Sequence, residues 1–477
     1  MEEFDVLIVG AGISGIGAAY HLQTNCPAKS YAILEARPAL GGTWDLFRYP
    51  GIRSDSDMYT LGFSFRPWTN PKAIADGPAI LDYLHETVRE YGIDEHIRYN
   101  TKVDHASWST RDNKWTVRTT VNGERVEIRC RFLLMCAGYY RYEAGYTPDF
   151  PGLDRFEGRV VHPQLWTEDI DYADKRVIVI GSGATAVTLV PELAKKAAQV
   201  TMLQRSPTYI ASAPAKDRVA NWLRRRFPAM TAYRAARWKN ILFAMATYNY
   251  ARRFPERTKR WFRKHTRELL GEDVDLTHFT PSYEPWDQRV CLVPDADLFD
   301  AIKSESVRVV TDHVEAFTET GIQLRGGEHL DAELVVTATG LQLQFLGGME
   351  LDLDGEPLRP ADMMMYRGMM FSGVPNLAMC IGYTNASWTL KVDLTCEYVC
   401  RLLNHMDRHG HAACVPRRDP GVGEQPLIDF NSGYVLRAIE HLPKQGTKRP
   451  WKLYQNYVLD MLTLRHGRVA DPAIEFS

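Results

Sequence analysis

The stretch Val6-Leu-Ile-Val-Gly10-Ala-Gly12-Ile-Ser-Gly15 is a short apolar run followed at once by three spaced glycines. A run of this length, rich in β-branched residues, predicts a buried parallel strand. Gly10 permits a tight turn, Gly12 lets the backbone approach a pyrophosphate, and Gly15 lets the next helix pack against the strand. The stretch therefore predicts a strand, a turn and a helix whose positive N-terminal end faces a phosphate.

The same pattern returns as Val177-Ile-Val-Ile-Gly181-Ser-Gly183-Ala-Thr-Ala186. In each repeat a second strand follows the helix, and the residue at its end differs. Glu35 stands 20 residues after Gly15, whereas Arg205 stands 19 residues after Ala186. A carboxylate there accepts hydrogen bonds from ribose hydroxyls, whereas a guanidinium binds a 2′-phosphate. We therefore predict an α/β fold with two dinucleotide-binding, Rossmann-like three-layer domains.

The bulk composition limits the class of protein. A chain of 477 residues is too long for one hydrophobic core. A net charge of −2 predicts no general affinity for nucleic acid, and the eight cysteines have neither metal-ligand spacing nor a Cys-x-x-Cys pair. The acidic start and glycine-broken apolar runs are not typical of a signal peptide or a membrane span. We expect a cytoplasmic, metal-free protein with reduced thiols.

Between the two glycine repeats lies Phe156-x-Gly158-x3-His162-x3-Trp166. This spacing resembles the fingerprint of the type I Baeyer–Villiger monooxygenases, and related flavin N-hydroxylases have a similar pattern that typically lacks the tryptophan. The alternative interpretation is a structural linker whose histidine and tryptophan simply pack. Together with both glycine repeats, the motif favours a redox enzyme whose two nucleotide sites move about this joint.

The resemblance covers nearly the whole chain and implies a division into six segments. Four strings, at 41–65, 181–210, 286–289 and 382–394, are closest to a branch of the family that oxidises thioamides and sulfides. The implied segments are an FAD-binding domain (1–140 and 341–477), a linker (141–174), an NADPH-binding domain (175–211 and 286–340) and a basic helical insertion (212–285).

The resemblance also implies which residues meet FAD. Thr384 or Asn385 is predicted to cap a helix that runs to about Asn404 and points at the flavin. For Asp55 the alternative is a turn-forming residue in Ser54-Asp-Ser-Asp57. The predicted FAD-binding residues are Gly10, Gly12, Ile13, Ser14, Gly15, Glu35, Gly42, Thr43, Trp44, Asp45, Leu46, Asp55, Tyr59, Val103, Asn385 and Lys391.

The nicotinamide site is predicted around the second repeat, with NADPH as the cofactor. Members of the family often have a lysine before the active-site arginine, and this chain has Gln288 there, which leaves Arg205 with less help on the 2′-phosphate. The predicted residues are Arg53, Ser54, Asp55, Gly181, Ser182, Gly183, Ala184, Thr185, Ala186, Val187, Arg205, Ser206, Thr339 and Gly340.

Arg289 and Asp55 are the catalytic residues that the resemblance implies. The buried cation of Arg289 would stabilise negative charge on oxygen, and Asp55 would hold it in position. The implied reaction consumes NADPH and O2 and inserts one oxygen atom beside a ketone carbonyl, giving an ester or lactone, with S-oxidation of organosulfur compounds alongside. The alternatives are a flavin N- or S-oxygenase with little ketone activity and a non-catalytic flavin redox sensor.

Residues 218–270 differ from the rest of the chain in charge. They hold 15 Lys/Arg against two acids, a net charge of +13, so the remainder of the chain carries −15. Aromatic residues are interleaved with these charges. Two interpretations stay open: a helical insertion with a solvated basic face, or an insertion that also contacts an anionic membrane surface. No nucleic-acid-binding module accompanies the charge.

Overall fold

The computed structural model describes residues 1–121, 123–428 and 431–477. Its α-helices, α1 to α12 in chain order, are Ile13–Asn25, Thr43–Leu46, Met58–Leu61, Gly77–Glu90, Ala184–Leu193, Arg218–Arg226, Ala229–Arg253, Pro255–Leu270, Asp297–Lys303, Trp388–His409, Gly433–Ala438 and Tyr457–Asp460. A π-helical turn, Met461–Arg465, follows α12. In these three ranges, no helix combines the length and apolarity needed to cross a membrane.

The strands, β1 to β25 in chain order, are Glu2–Val9, Tyr31–Leu34, Ile97–Arg98, Thr101–Ser109, Lys114–Val121, Glu124–Met135, Arg159–Val161, Arg176–Ile180, Gln199–Gln204, Ile210–Ala213, Cys291–Pro294, Val307–Thr311, Val314–Phe317, Gly321–Leu324, His329–Asp331, Leu334–Thr337, Glu350–Leu353, Glu356–Leu358, Met365–Tyr366, Met370–Phe371, Leu377–Met379, Cys414–Pro416, Glu424–Pro426, Lys444–Gly446 and Ile474–Phe476.

The first large sheet has eleven strands. Its parallel core has the order β21-β6-β1-β2-β3, and the antiparallel strands β4 and β5 extend from the first half of β6. Side chains of β1 alternate between two separate cores, with Val6 and Ile8 on one face and Leu7 and Val9 on the other. A sheet with a core on each face is the middle of three layers, which confirms the predicted architecture.

The second sheet has five parallel strands in the order β12-β9-β8-β16-β7. Val177 and Val179 of β8 face one core, and Ile178 and Ile180 face another, so this sheet is also covered on both sides. Its edge strand β7, Arg159–Val161, comes from the fingerprint stretch. The centre of the predicted linker is therefore part of the second sheet.

The basic segment forms three helices, α6, α7 and α8, as predicted for an insertion. The expected solvated face holds for most of the charges, but Arg237 on α7 is buried. Its Nη1 donates to the carbonyl oxygens of Tyr59 and Gly62, and its Nη2 pairs with Asp393 on α10 at 3.2 Å. This contact joins the insertion to the C-terminal part of the chain.

The predicted start of the long C-terminal helix is wrong. Ser387 is the N-cap of α10, and the helix runs from Trp388 to His409 rather than ending near Asn404. Asn385 donates instead to the carbonyl oxygen of Gln455 at 3.0 Å, and the backbone N–H of Thr384 donates to the Gln455 side chain. Both residues are therefore engaged by the segment before α12, a contact that comes from far along the chain.

Candidate active site

A cavity of about 720 Å³ lies where the two sheets meet. Its lining includes the first glycine turn, residues of the 41–56 segment, Arg289 and residues of the C-terminal segment from 427 to 460. Ligand pockets of 300–1,000 Å³ are typical of small-molecule and cofactor sites. The cavity therefore has the size and the position of a site that both halves of the chain share.

The first glycine loop is built for close backbone contact. Gly10 has φ +106°, and a Cβ there would lie 2.6 Å from the carbonyl oxygen of Cys136. A Cβ on Gly15 would lie 1.9 Å from the oxygen of Gly10, so α1 packs on the turn as predicted. Gly12 caps α1 without a side-chain hydrogen bond, which leaves amide groups of the first turn for an anion.

Glu35 lies at the end of β2 and lines the cavity. Its carboxylate accepts hydrogen bonds from the backbone N–H groups of Ala11, at 2.7 Å, and Arg37, at 2.9 Å. Burial raises the pKa of Glu35, and these two donors act in the opposite direction. The acid is thus held in place at the cavity wall by two backbone donors.

The structure brings most of the predicted FAD residues to the cavity wall, and the rest lie behind it. The residues on the wall are Gly10, Gly12, Ile13, Ser14, Glu35, Gly42, Thr43, Trp44, Leu46, Asp55, Val103 and Lys391. Gly15, Asp45, Tyr59 and Asn385 are not among the lining residues. Asp45 pairs with Arg37 at 2.7 Å, and the Tyr59 ring packs 6.0 Å from that of Tyr233.

Arg289 and Asp55, far apart in sequence, form an ion pair with an N–O distance of 2.6 Å. Both line the cavity, and the expectation of a buried cation is wrong, because the Arg289 side chain is 41% exposed. The charge of Asp55 raises the pKa of Arg289, so the guanidinium stays a cation. Tyr139, whose pKa burial raises to about 12, and Tyr434 stand beside the pair as neutral groups.

The second glycine loop repeats the design of the first. Gly181 has φ +140°, and a Cβ there would lie 2.3 Å from the carbonyl oxygen of Ala338. Gly183 has no atom within 4 Å of its Cβ position, so its outer face is open to a ligand. The Ser182 hydroxyl donates to the oxygen of Ser206, which ties the loop to the exposed Arg205.

The other predicted nicotinamide residues fall into two groups. Arg53, Ser54 and Asp55, with Ala184 of α5, line the shared cavity. Arg53 is engaged by an ion pair with Asp297. The Thr339 hydroxyl donates to the oxygen of Tyr146 at 2.6 Å, beside Gly340. The predicted nicotinamide residues that lie outside the cavity lining are Gly181, Ser182, Gly183, Thr185, Ala186, Val187, Arg205, Ser206, Thr339 and Gly340.

The fingerprint residues join the connection to the second sheet. His162 Nε2 lies 3.1 Å from the carbonyl oxygen of Gly340, and its Nδ1 accepts from the N–H of Gln164 at 3.2 Å. Because burial lowers the pKa of His162, the ring is neutral and its Nε2–H donates to Gly340. Phe156 and Trp166 are buried against Phe317 and Tyr172. These contacts hold the segment between the two sheets in place, and none of the four fingerprint residues lines the cavity.

Sequence reasoning missed two partners of Lys391. Lys391 is buried, and its Nζ pairs with Asp460 at 2.7 Å, while the Tyr383 hydroxyl donates to the same carboxylate at 2.8 Å. Burial lowers the pKa of Lys391. The three groups all line the cavity. No local pattern marks Asp460, because α12 meets α10 only in the folded chain.

Comparisons with known proteins agree with this geometry. Residues 7–255 match the family model described as pyridine nucleotide-disulphide oxidoreductase. The chain is 54% identical to the FAD-containing monooxygenase EthA of Mycobacterium tuberculosis, over all of this chain and 98% of the relative. It is 47% identical to the probable FAD-binding monooxygenase AlmA of Acinetobacter baylyi, over all of this chain and 96% of that one.

Solved structures share the fold. An oxidized steroid monooxygenase bound to NADP superposes with a TM-score of 0.80 at 23% identity, covering 99% of each chain. An open crystal structure of cyclohexanone monooxygenase gives 0.76 at 20% identity, covering all of both chains.

The two glycine loops and the family match define the class, an oxidoreductase built on two Rossmann-type lobes. Within that class, the chain belongs to the family of FAD-containing monooxygenases. It is a flavin monooxygenase, and the resemblance recognised in the sequence is confirmed.

Proposed function

We propose that the protein uses FAD, NADPH and O2 to insert an oxygen atom next to a ketone carbonyl, giving an ester or lactone. The observation that carries this proposal is the Arg289–Asp55 ion pair, which holds a cation against the cavity that the first glycine loop lines. A neutral side chain in place of Arg289 would offer no positive charge to a developing oxyanion. One solved structure that shares this fold, cyclohexanone monooxygenase, is named after a ketone.

The residues present fit a flavin dinucleotide. The uncapped first turn of α1 offers amide donors to a pyrophosphate, and Glu35 at the cavity wall offers a carboxylate to a ribose. Gly42 approaches Gly12 closely, because a Cβ on Gly42 would lie 3.1 Å from the Gly12 Cα and 3.3 Å from the Tyr142 hydroxyl. The division into an FAD-binding and an NADPH-binding domain, with boundaries at 140, 175, 212, 286 and 341, belongs to the same proposal.

The second loop fits NADPH. Gly183 faces open space, and the exposed Arg205 is tied to that loop through Ser206. Arg205 would bind the 2′-phosphate with no lysine at position 288 to help it.

The bound cofactors supply a hydride and activate O2, and the chain supplies charge, position and dryness. The Arg289 guanidinium is a permanent cation at the cavity wall, and it would stabilise negative charge that develops on oxygen there. Asp55 orients that guanidinium through the ion pair. The neutral Tyr139 and Tyr434 beside the pair compete with neither charge.

The test is NADPH oxidation by the purified FAD-loaded protein with 2-octanone, followed by product mass. An ester one oxygen heavier than the ketone supports the proposal. Arg289→Ala should lower ester formation by about 10²–10³-fold while FAD stays bound. Arg111→Ala, an exposed arginine on the β4–β5 turn, is the matched control and should leave the rate unchanged.

A different product pattern would favour the second candidate. If a panel of ketones yields only hydrogen peroxide while a sulfide or thioamide yields its S-oxide, the protein is an S-oxygenase without ketone activity. FAD binding without turnover of any organic compound would indicate a redox-sensing protein instead.

We propose in addition that residues 218–270 contact an anionic membrane surface. Exposed cations lie on all three insertion helices, among them Arg225, Arg226, Arg234, Arg260 and Arg263. Each basic residue near an anionic surface contributes about 1 kcal/mol. The protein should float with vesicles that contain phosphatidylglycerol at low salt, and absence from the floating fraction would contradict this contact.

A further inference from the structure

Exposed large apolar side chains are concentrated in two parts of the described surface. Nine lie on or between the insertion helices: Val219, Trp222, Phe227, Trp238, Leu242, Phe243, Tyr250, Phe254 and Trp261. Three lie near the C-terminus, at Leu436, Tyr454 and Leu462, and in the described ranges the remaining ones are Met1, Val126 and Leu165. Scattered apolar residues are normal, whereas a concentration of this kind marks an interaction surface.

The two parts meet beside the cavity. The Trp238 ring on α7 lies 5.8 Å from that of Tyr457 on α12. One turn further along α12, Asp460 lines the cavity and pairs with Lys391. Tyr454, just before α12, both lines the cavity and is 38% exposed. The short helix α12 thus contacts α7 through Tyr457 and reaches the cavity through Asp460.

Helix α7 is held in one orientation. Tyr233, Arg237 and Ile241 are buried on one side, whereas Arg234, Trp238 and Leu242 are exposed on the other at four-residue spacing. The inner side is fixed by the Arg237–Asp393 ion pair and by the Tyr233 hydroxyl, which donates to the oxygen of Phe63. These buried polar contacts therefore keep Arg234, Trp238 and Leu242 facing the solvent.

We infer that Trp238, Leu242, Tyr454 and Leu462 form a docking face for an anionic bilayer, and that the cavity takes its substrate from that bilayer. The net charge of +13 in residues 218–270 attracts the lipid headgroups, and the apolar side chains enter the interface. The substrate is then a lipid-soluble ketone or organosulfur compound. This inference rests on the proposed function and names the substrate class and its source.

The cavity wall next to the docking face suits such a substrate. Leu427, Leu442 and Leu453 line it from the C-terminal segment, together with the Tyr454 ring. An apolar chain that leaves the bilayer at Tyr454 would meet these leucine side chains. The cations around the face would meanwhile hold the headgroups, so that docking and substrate entry use different residues.

The experiment compares one substrate in the bilayer with one in solution. A long-chain 2-ketone is incorporated in vesicles of phosphatidylcholine with phosphatidylglycerol, and 2-octanone is supplied in buffer. The double variant Leu242→Ser/Leu462→Ser should oxidise the vesicle-borne ketone about tenfold more slowly than the unaltered protein. Its rate with 2-octanone should not change. Val126→Ser, an exposed apolar residue on β6, is the matched control.

The outcomes are distinct. Equal rates of the double variant and Val126→Ser with vesicle-borne ketone would overturn the inference, as would equal activity on neutral and anionic vesicles. If neither ketone is oxidised, the proposed function fails, and co-flotation of the same variants still reports on the docking face. If the only effect of the double variant is on the oligomeric state measured by analytical ultracentrifugation, a second copy of the chain covers this face and the inference is wrong.

Discussion

The ion pair between Arg289 and Asp55 joins residues 234 positions apart at the wall of one cavity. A guanidinium beside a carboxylate keeps its charge at every pH at which the protein is folded. Its Nη2 is engaged by Asp55. The carboxylate therefore acts on the reaction by placing the cation and not by exchanging a proton.

Asp55→Asn should lower the rate of ester formation by about 10²-fold, because a displaced guanidinium no longer meets the oxygen in line. FAD affinity should stay within about twofold, as read from flavin absorbance after gel filtration. Asp82→Asn, the same change at an exposed acid on α4 outside the cavity lining, serves as control. A rate equal to that of the unaltered protein would mean that Arg289 is held by its other neighbours.

The cation at Arg205 is predicted to separate NADPH from NADH. Arg205→Ala should raise the KM for NADPH about tenfold, since a hydrogen bond to a charged group contributes about 1.5–3 kcal/mol, and should leave that for NADH unchanged. Gln288→Lys should shift the preference further toward NADPH. An equal rise of the KM for NADPH and for NADH in Arg205→Ala would show that the side chain acts on the pyrophosphate.

At the scale of elements, the two glycines of the second loop make different demands. Gly181→Ala adds a side chain at φ +140° and 2.3 Å from the Ala338 oxygen. The backbone strain alone should lower the free energy of unfolding by about 1–3 kcal/mol, and the close contact should lower it further. Gly183→Ala fills open space and should change stability by less than about 0.5 kcal/mol. Urea unfolding measures both.

NADP+ binding is the property that Gly183→Ala should change, although its stability should not. A methyl group on Gly183 lies where the pyrophosphate would approach, so Gly183→Ala should weaken NADP+ binding in calorimetry while the fold is retained. Unchanged binding would contradict the assignment of this loop to the nicotinamide cofactor.

The contact between α7 and α10 is a buried ion pair extended by His21, whose Nε2 lies 3.3 Å from Asp393. Arg237→Met removes the cation and leaves Asp393 charged and short of a partner, so the free energy of unfolding should fall by about 3–5 kcal/mol. Arg234→Met, one turn away on the exposed side, should cost less than about 0.5 kcal/mol.

A second variant tests the reason for that loss. Arg237→Met combined with Asp393→Leu should recover much of the stability, because no uncompensated charge remains in the core. If the double variant is less stable than Arg237→Met alone, the carboxylate contributes through His21 and the N–H of Ser64 rather than through the arginine.

For the whole molecule, the shared cavity links cofactor binding to stability. Segments from 9 to 143, 184 to 292 and 343 to 460 all contribute to its wall, so a ligand there contacts the native chain and not the unfolded one. FAD at 100 times its Kd should add about 2.7 kcal/mol, and the Tm should rise by several degrees. Glu35→Ala should shift this rise to higher FAD concentration. Identical midpoints with and without FAD would contradict the assignment.

The sequence alone determined the two Rossmann-type lobes, the family and the helical insertion. Strand, glycine turn and helix follow one another within about thirty residues, so their signals are local. Gly10 and Gly181 are recognisable for the same reason, because the tight turn that each makes allows no side chain.

Only the tertiary structure decided which residues share a wall. It moved the start of α10 to Ser387, put Tyr59 outside the cavity lining, buried Arg237 and brought Asp460 to Lys391. Each of these depends on a partner at least 69 positions away or on the packing of a neighbouring helix. A pattern read along the chain contains no distance between such partners, because burial and pairing arise only when the elements pack.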